Sequence, residues 1–307
     1  MDRFEAIQTL VAAVDEGSLS AASRALGVPL PTVSRRVADL EAHLGAQLLI
    51  RTSRKLVLTE AGAVFVGAAR RLLADLSEAE RSAAGEYRSP RGELLVTAPF
   101  MFGKLYVAPL VQDFLRAYPE VSVRLVLADH MLEFAEHRLD VAIRIGRLPD
   151  SELIASKVGE VRWTVCASPG YLAQRGTPRL PEDLGRHACI AFSGTPDPRQ
   201  WIFGTGHGTR TVRIAPRLMV NAADVMIAAA EDGIGIARVM SYQAASAIRA
   251  GRLNPLLRDF WPEPSPVHVL YPSQRAAPLK RRAFIDFVAP RLRNALAELP
   301  SIFSTET

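Results

Sequence analysis

Cysteine is scarce in this chain: 307 residues contain only Cys166 and Cys189, each inside an apolar strand-like run. Two such residues cannot build a disulfide framework, and they read as buried free thiols of a cytoplasmic protein. No apolar run reaches the 18 residues of a membrane-spanning helix, so no membrane partner is expected. Acids at Asp2 and Glu5 break up the start of the chain, and a secretory signal is not expected. Histidines are sparse, at 43, 130, 137, 187, 207 and 268. They form no metal cluster with the cysteines; His130 and His137, seven apart with acids between them, come nearest to a ligand pair, and no metal is expected. The chain has no G-x-S-x-G and no H-E-x-x-H. Its "GIG" at 233–235 lacks the third glycine of a dinucleotide loop and reads as a tight turn. Neither an enzyme nor a cofactor is expected.

Bulk charge is also uninformative. The net charge is +5, yet residues 1–90 carry eleven basic and eleven acidic side chains. Only the local distribution points anywhere. Between 32 and 59 lie Arg35, Arg36, Arg51, Arg54 and Lys55 against Asp39 and Glu41, a small basic patch around one short segment.

What is present is a rhythm. Phe4, Ile7, Leu10, Val11 and Val14 mark a first amphipathic helix ending near Gly17. Ser18 and Ser20 are both candidate N-caps for a short alanine-rich helix, Ala21 to Leu26, with Gly27 behind it. After "GVPLP", Val33, Val37, Leu40 and Leu44 recur at helical spacing, with Pro31 suited to the first helical position. Thr32, Ser34, Arg35, Arg36 and Asp39 occupy the other face. Three short helices with a tight turn before the last form a helix-turn-helix, whose third helix enters the DNA major groove. "LLIRTSRKLVL" then reads as a hairpin with a basic tip, suited to phosphates or the minor groove. Taken singly, the arginines could be an ordinary solvated helix face and "RTSRK" an ordinary turn. Their order within sixty residues favours DNA.

These residues carry a resemblance. Ala21, Ala22 and Leu26, "VSRRV" at 33–37, Leu40, Glu41, Leu44 and Gly45, Arg51 and Thr52, and "LTEAG" at 58–62 resemble the N-terminal winged helix-turn-helix of LysR-type transcriptional regulators. Two stretches depart from that pattern. Pro29-Leu30 stands where many members have Ser-Gln, and "LLIR" at 48–51 where they have "LFER". Losing the glutamine removes a base-reading amide, which moves the expected readers to Thr32, Ser34 and Arg35. Ser20, Pro31, Arg36, Arg51, Thr52, Arg54 and Lys55 complete the expected contacts to double-stranded DNA.

Residues 61–88 contain no proline, and Val64, Phe65, Ala68, Leu72, Leu76 and Ala79 keep an apolar stripe. About 25 helical residues span roughly 37 Å. Such a helix either packs on its own domain or pairs with a second copy, and the resemblance implies a dimerisation helix. Beyond "RSPRG", strand-like segments alternate with helical ones: 93–98, 121–127, 140–145, 163–167, 188–192, 217–220, 234–238 and 267–272 for strands, 103–117, 223–231 and 279–289 for helices. This predicts an α/β region with largely parallel sheets. The late strand suggests two lobes. The resemblance implies a two-lobed effector domain like a periplasmic binding protein, crossing between lobes near Val161–Thr164 and Pro266–Val269.

The expected organisation is therefore an all-α winged helix-turn-helix at 1–60, a linker helix at 61–89 and an α/β effector-binding domain at 90–307. Lobe I is assigned 90–161 and 268–300, lobe II 162–267. Ligands of such folds sit at strand C-termini beside helix N-termini. That places Thr97, Phe100, Phe102, His130, Arg144, Phe192, Ser193 and Asn221 around the effector, with Asp224 opening the helix after Asn221. Phe100 and Phe102 could equally be core, and Arg144 could pair with Asp140 or Asp150. The reading that follows is a cytoplasmic, homo-oligomeric, sequence-specific regulator controlled by a small, partly apolar or aromatic acid. It would contact RNA polymerase if it activates. The alternative is a solute-binding module whose N-terminal helices dock a protein; the basic hairpin tip argues for DNA.

Overall fold

The computed structural model describes residues 2–51, 56–83, 89–130, 132, 134–137, 139–273 and 278–303. The chain falls into two compact units, Met1–Arg88 and Ser89–Thr307.

In the first unit, α1 spans Arg3–Asp15 and is capped by the Asp2 carboxylate, which accepts from the N–H groups of Phe4 and Glu5. Helix α2 spans Leu19–Leu26. Its cap is Ser18, whose hydroxyl accepts from the Ala21 N–H, while Ser20 lies inside the helix and is exposed. Helix α3 spans Leu30–Leu44, with Pro29 as N-cap. Pro31 therefore takes the second helical position rather than the first, where its missing N–H is still harmless. Ala13, Ala22 and Val33, all fully buried, meet where α1, α2 and α3 converge. The methyl-sized groups of the two alanines let the helices close up. Leu44, expected on the buried stripe, is 40% exposed because Gly45 ends the helix there in a left-handed conformation.

Strands β1 (Leu49–Arg51) and β2 (Leu56–Leu58) pair antiparallel as a hairpin. Glu41 anchors it: one carboxylate oxygen accepts from the N–H groups of Leu48 (2.7 Å) and Leu49 (3.0 Å). Helix α4 spans Glu60–Ala83, and the Thr59 hydroxyl accepts from the Gly62 N–H at 2.9 Å. A side chain at 62 would put its Cβ 2.0 Å from the Leu48 carbonyl oxygen, so only glycine fits. Val66 is buried in one core with Leu10, Val37, Leu40 and Leu48, and Phe65 packs on its edge. A boundary at 60/61 thus cuts through a core, and Phe65 belongs to that core rather than to an outward stripe.

The second unit opens with β3 (Gly92–Ala98), the short α5 (Phe100–Phe102), a π turn at Gly103–Val107 and α6 (Ala108–Ala117). Then come β4 (Val121–Leu127), α7 (Phe134–His137), β5 (Val141–Ile145) and β6 (Leu153–Val161). After a crossing at Arg162 the second lobe holds β7 (Trp163–Ala167), α8 (Pro169–Arg175), β8 (Cys189–Phe192), β9 (Gln200–Phe203) and β10 (Arg210–Arg213). It continues with β11 (Pro216–Val220), α9 (Ala223–Glu231), β12 (Ile236–Met240), α10 (Ser241–Arg249) and β13 (Asn254–Leu256). The chain re-enters the first lobe as β14 (Ser265–Pro272), followed by α11 (Leu279–Ala297) and α12 (Leu299–Phe303). The return crossing lies before Ser265, ahead of the expected Pro266–Val269.

Among the described residues the lobes hold sheets ordered β4-β3-β5-β14-β6 and β11-β8-β12-β7-β13. Both are mixed rather than largely parallel: β14 runs antiparallel to β5 and β6, and β7 antiparallel to β12 and β13. In each lobe it is the strand that enters by a crossing, β7 or β14, that runs against the others. Helix α10 joins the lobes. Its Tyr242 and Ala245 are in the core of lobe I, its Ala244 and Ala247 in that of lobe II.

Candidate functional site

The first surface is the outward face of α3. Val33, Val37 and Leu40 are at most 1% exposed, which directs Arg35 to solvent and leaves Thr32 and Ser34 half-buried at the helix start. Arg35 pairs with no acid among the described residues. Its neighbour Arg36 does pair, with Glu5 of α1, and so serves to tie two helices together. Pro31 and Ser20 are exposed. Arg51 closes β1, but Thr52, Arg54 and Lys55 lie outside the described residues. On α4, Val64, Leu72 and Leu76 are 73%, 52% and 37% exposed and Ala68 is half-buried; the side chain of Ala79 is outside the described residues.

The second surface is a cavity of about 510 Å³ between the two lobes. Of the expected residues, Phe100, His130, Phe192 and Asn221 line it. Asn221 comes with Ala222 and Ala223 at the start of α9. Asp224 lies one residue further in, and its carboxylate accepts from the Val225 N–H.

Four expected residues do not line it. Thr97 is fully buried within β3. Phe102 is fully buried too, stacked on Tyr106 at 5.1 Å between centroids and edge-on to Tyr242 at 5.2 Å. Two residues along a helix is more than half a turn, so Phe100 faces the cleft and Phe102 the core. Arg144 is 8% exposed and donates to the Ile143 carbonyl at 3.0 Å. Burial lowers its pKa, and Asp129 partly offsets this. Successive strand residues face opposite ways, and it is Ile145 that reaches the cavity. Ser193 is exposed and spends its backbone N–H on the Val220 carbonyl, at 2.8 Å.

The residue that sequence reasoning missed is Arg238. It lies on β12 with its guanidinium 4.5 Å from the centroid of Trp163, and donates to the Ile202 carbonyl at 3.1 Å. Burial brings its pKa down to about 10, which leaves it charged at neutral pH. Trp163, Tyr242 and Gln243 also line the cavity, as does Asp129, which accepts from the Phe100 N–H at 2.9 Å. No local pattern marks these positions; Arg238 sits in an otherwise apolar strand and looks like a sheet-edge charge.

Both cysteines are buried, and desolvation raises each thiol to about 12, well above neutral pH. The described residues contain no cluster of three or more His, Cys, Asp or Glu arranged to hold a metal ion. No described helix is long and apolar enough to cross a membrane. His130 and His137 share no helix: His137 ends α7 and His130 lies in the bend before it.

This two-part architecture has known counterparts. Residues 4–63 match the family described as "Bacterial regulatory helix-turn-helix protein, lysR family", and residues 88–293 match "LysR substrate binding domain". An HTH-type transcriptional repressor of Pseudomonas aeruginosa is 35% identical over 94% of this chain and 92% of its own length. The regulator CrgA of Neisseria meningitidis serogroup C is 33% identical over 95% of this chain and 98% of its own. The solved structure of CrgA, 32% identical, superposes with a TM-score of 0.61 over 94% of this chain and 98% of that one. The full-length structure of the Vibrio cholerae virulence activator AphB, 30% identical, gives 0.60 over 92% and 97%. By sequence and by fold the chain belongs to the LysR family of DNA-binding transcriptional regulators, with an effector-binding domain behind its helix-turn-helix.

Proposed function

We propose that the chain acts in the cytoplasm as a homo-oligomer that binds operator DNA through α3 and the hairpin tip, under the control of a small molecule held in the interlobe cavity. The observation that carries this is the division of α3: a dry face of Val33, Val37 and Leu40, and an outward face with Arg35 exposed and paired with no acid among the described residues. Arg35 is placed to read a guanine edge. Thr32, Ser34 and the N–H groups of the helix start are suited to phosphate, with Pro31 and Ser20 at the rim. Arg51, Thr52, Arg54 and Lys55, from the end of β1 towards β2, are the residues expected to follow the backbone or the minor groove. Arg36, held by Glu5, is left out of this set.

The row of exposed Val64, Leu72 and Leu76 with half-buried Ala68 on α4, four residues apart at each step, supports pairing with a second copy. Such a regulator has no reaction of its own to catalyse, and it would engage RNA polymerase only where it activates.

Arg35→Ala is expected to weaken operator binding by about 1–3 kcal/mol and to relax preference at one base pair. Titration against a base-substituted operator series measures both, and unchanged binding would remove Arg35 from the interface. Leu72→Glu with Leu76→Glu places four carboxylates in one seam and should leave a monomer in sedimentation; a wild-type chain already monomeric at micromolar concentration would refute pairing through α4.

A further inference from the structure

Beside the interlobe cavity lies a second one, of about 350 Å³, within reach of β9 and the loop before it. It is lined by Thr195, Pro196, Asp197, Pro198, Gln200 and Ile202 among others. The two cavities share three wall residues: Trp163, Phe192 and Arg238. The guanidinium of Arg238 therefore stands at the junction. Its flat face is covered by Trp163 and one of its N–H groups is used by the Ile202 carbonyl. A guanidinium carries five N–H donors, so most of its donating capacity is uncommitted. Among the described residues no carboxylate lies within ion-pair distance of it.

A cation held this way resembles an arginine stacked in a ligand site more than a structural ion pair. It is fixed on a strand between Trp163 and Phe192, the aromatic walls the two cavities share; the acid of the smaller cavity, Asp197, is not within ion-pair distance of it. The acid that also lines the larger cavity, Asp129, belongs to the opposite lobe and already accepts a hydrogen bond from Phe100.

We infer that Arg238 is the anion anchor of the effector site, and that the effector is an aromatic or alkyl carboxylate whose acid group meets Arg238 at the junction of the two cavities. This deepens the reading of the chain as an effector-controlled regulator and rests on it. The apolar body of the ligand lies in the larger cavity against Phe100, Met226 and Phe192, and substituents that extend past the acid group enter the smaller one.

The position also suits control of lobe geometry. Trp163, which carries the guanidinium, is the first residue after the crossing at Arg162. That crossing is clamped to the start of α10: the Arg162 N–H donates to the Ser241 hydroxyl at 3.1 Å, and the Ser241 N–H donates to the Arg162 carbonyl at 2.6 Å. A carboxylate competing for Arg238 acts one residue from the hinge.

The test uses the full-length protein and pairs of acids and their primary amides: benzoate and benzamide, 3-phenylpropanoate and 3-phenylpropanamide, octanoate and octanamide. Binding is read by thermal shift and by tryptophan fluorescence. Wild type should bind at least one acid about tenfold or more tightly than its amide, the range for a charge-assisted bond. Arg238→Met should bring that ratio close to one, and Arg238→Lys should retain part of it. Arg238→Gln, which keeps a donor for the Ile202 carbonyl, replaces Arg238→Met if the latter does not fold. The inference is overturned if no acid in the series is preferred over its amide, or if the preference survives loss of the charge. Binding of wild type and variants to promoter DNA without added acid is measured alongside. Failure there strikes the regulator reading and leaves the acid-to-amide ratio to decide the anchor.

Discussion

The proposed DNA-reading surface and the proposed effector cleft are assembled in opposite ways. The first is contiguous: the expected contacts from Pro31 to Lys55 come from one helix and the hairpin that follows it. The second is dispersed, its wall drawn from Pro99 in lobe I to Gln243 on α10, from two sheets and both sides of the crossing at Arg162. A contiguous surface depends on one small core, and its side chains are set by helical phase. A dispersed one depends on two sheets being held at the right separation, so residues that never touch ligand still shape the site. Phe102, buried against Tyr242 in the core of lobe I, is of that kind.

Substitutions can break this contrast. The largest effect should come from Val37→Asp, which buries a carboxylate at a position with no exposed area. It should cost more than about 3 kcal/mol, remove the melting transition of the N-terminal unit and abolish DNA binding. Acid binding by the effector unit should persist in the same sample; loss of both would mean that the units do not fold separately. Next is Phe102→Ala. Truncating a fully buried ring among Tyr106, Tyr242 and the lobe I core should cost about 3–5 kcal/mol in denaturant unfolding. Phe100→Ala, at a residue 47% exposed, should cost far less and chiefly weaken ligand binding. Equal destabilisation by the two would place both rings in the core.

Smaller effects sharpen the comparison. Glu41→Ala leaves the Leu48 and Leu49 N–H groups without their acceptor and should destabilise the N-terminal unit by about 1–3 kcal/mol, seen in its urea midpoint. Smallest is Gly194→Ala. Its Cβ would come within 2.5 Å of the Phe192 ring, a side chain that can swing aside. Stability should change by less than about 1 kcal/mol. Because Phe192 lines both cavities, carboxylate binding should nevertheless fall several-fold in the thermal-shift titration, and DNA binding should not change.

Much of the N-terminal unit was legible from residues alone, because its cues are local. Helical phase separated Val33, Val37 and Leu40 from Arg35; Gly45 marked a helix end; "LTEAG" announced α4. Even there, pairing escaped: nothing in "VSRRV" says which arginine Glu5 will take. In the effector unit the apolar strands were legible, while β6, β9, β10 and β13 were not. In β6, "LIASKVGEV" mixes lysine, glycine and serine because it is an edge strand, bonded only to β14 and largely solvated.

The sequence by itself determined the elements whose hydrogen bonds and apolar periodicity are short-range, and with them the helix-turn-helix, the long α4 and the alternating α/β order. Only the tertiary structure decided which strands reverse, that Arg144 is enclosed while Ile145 faces the cleft, and that Arg238 reaches the cavity over Trp163. Those outcomes depend on contacts between segments separated by well over a hundred residues, as between Ala142 and Leu270. Their free energy comes from burying apolar surface between sheets and helices, and no window of sequence reports which partner a side chain will meet.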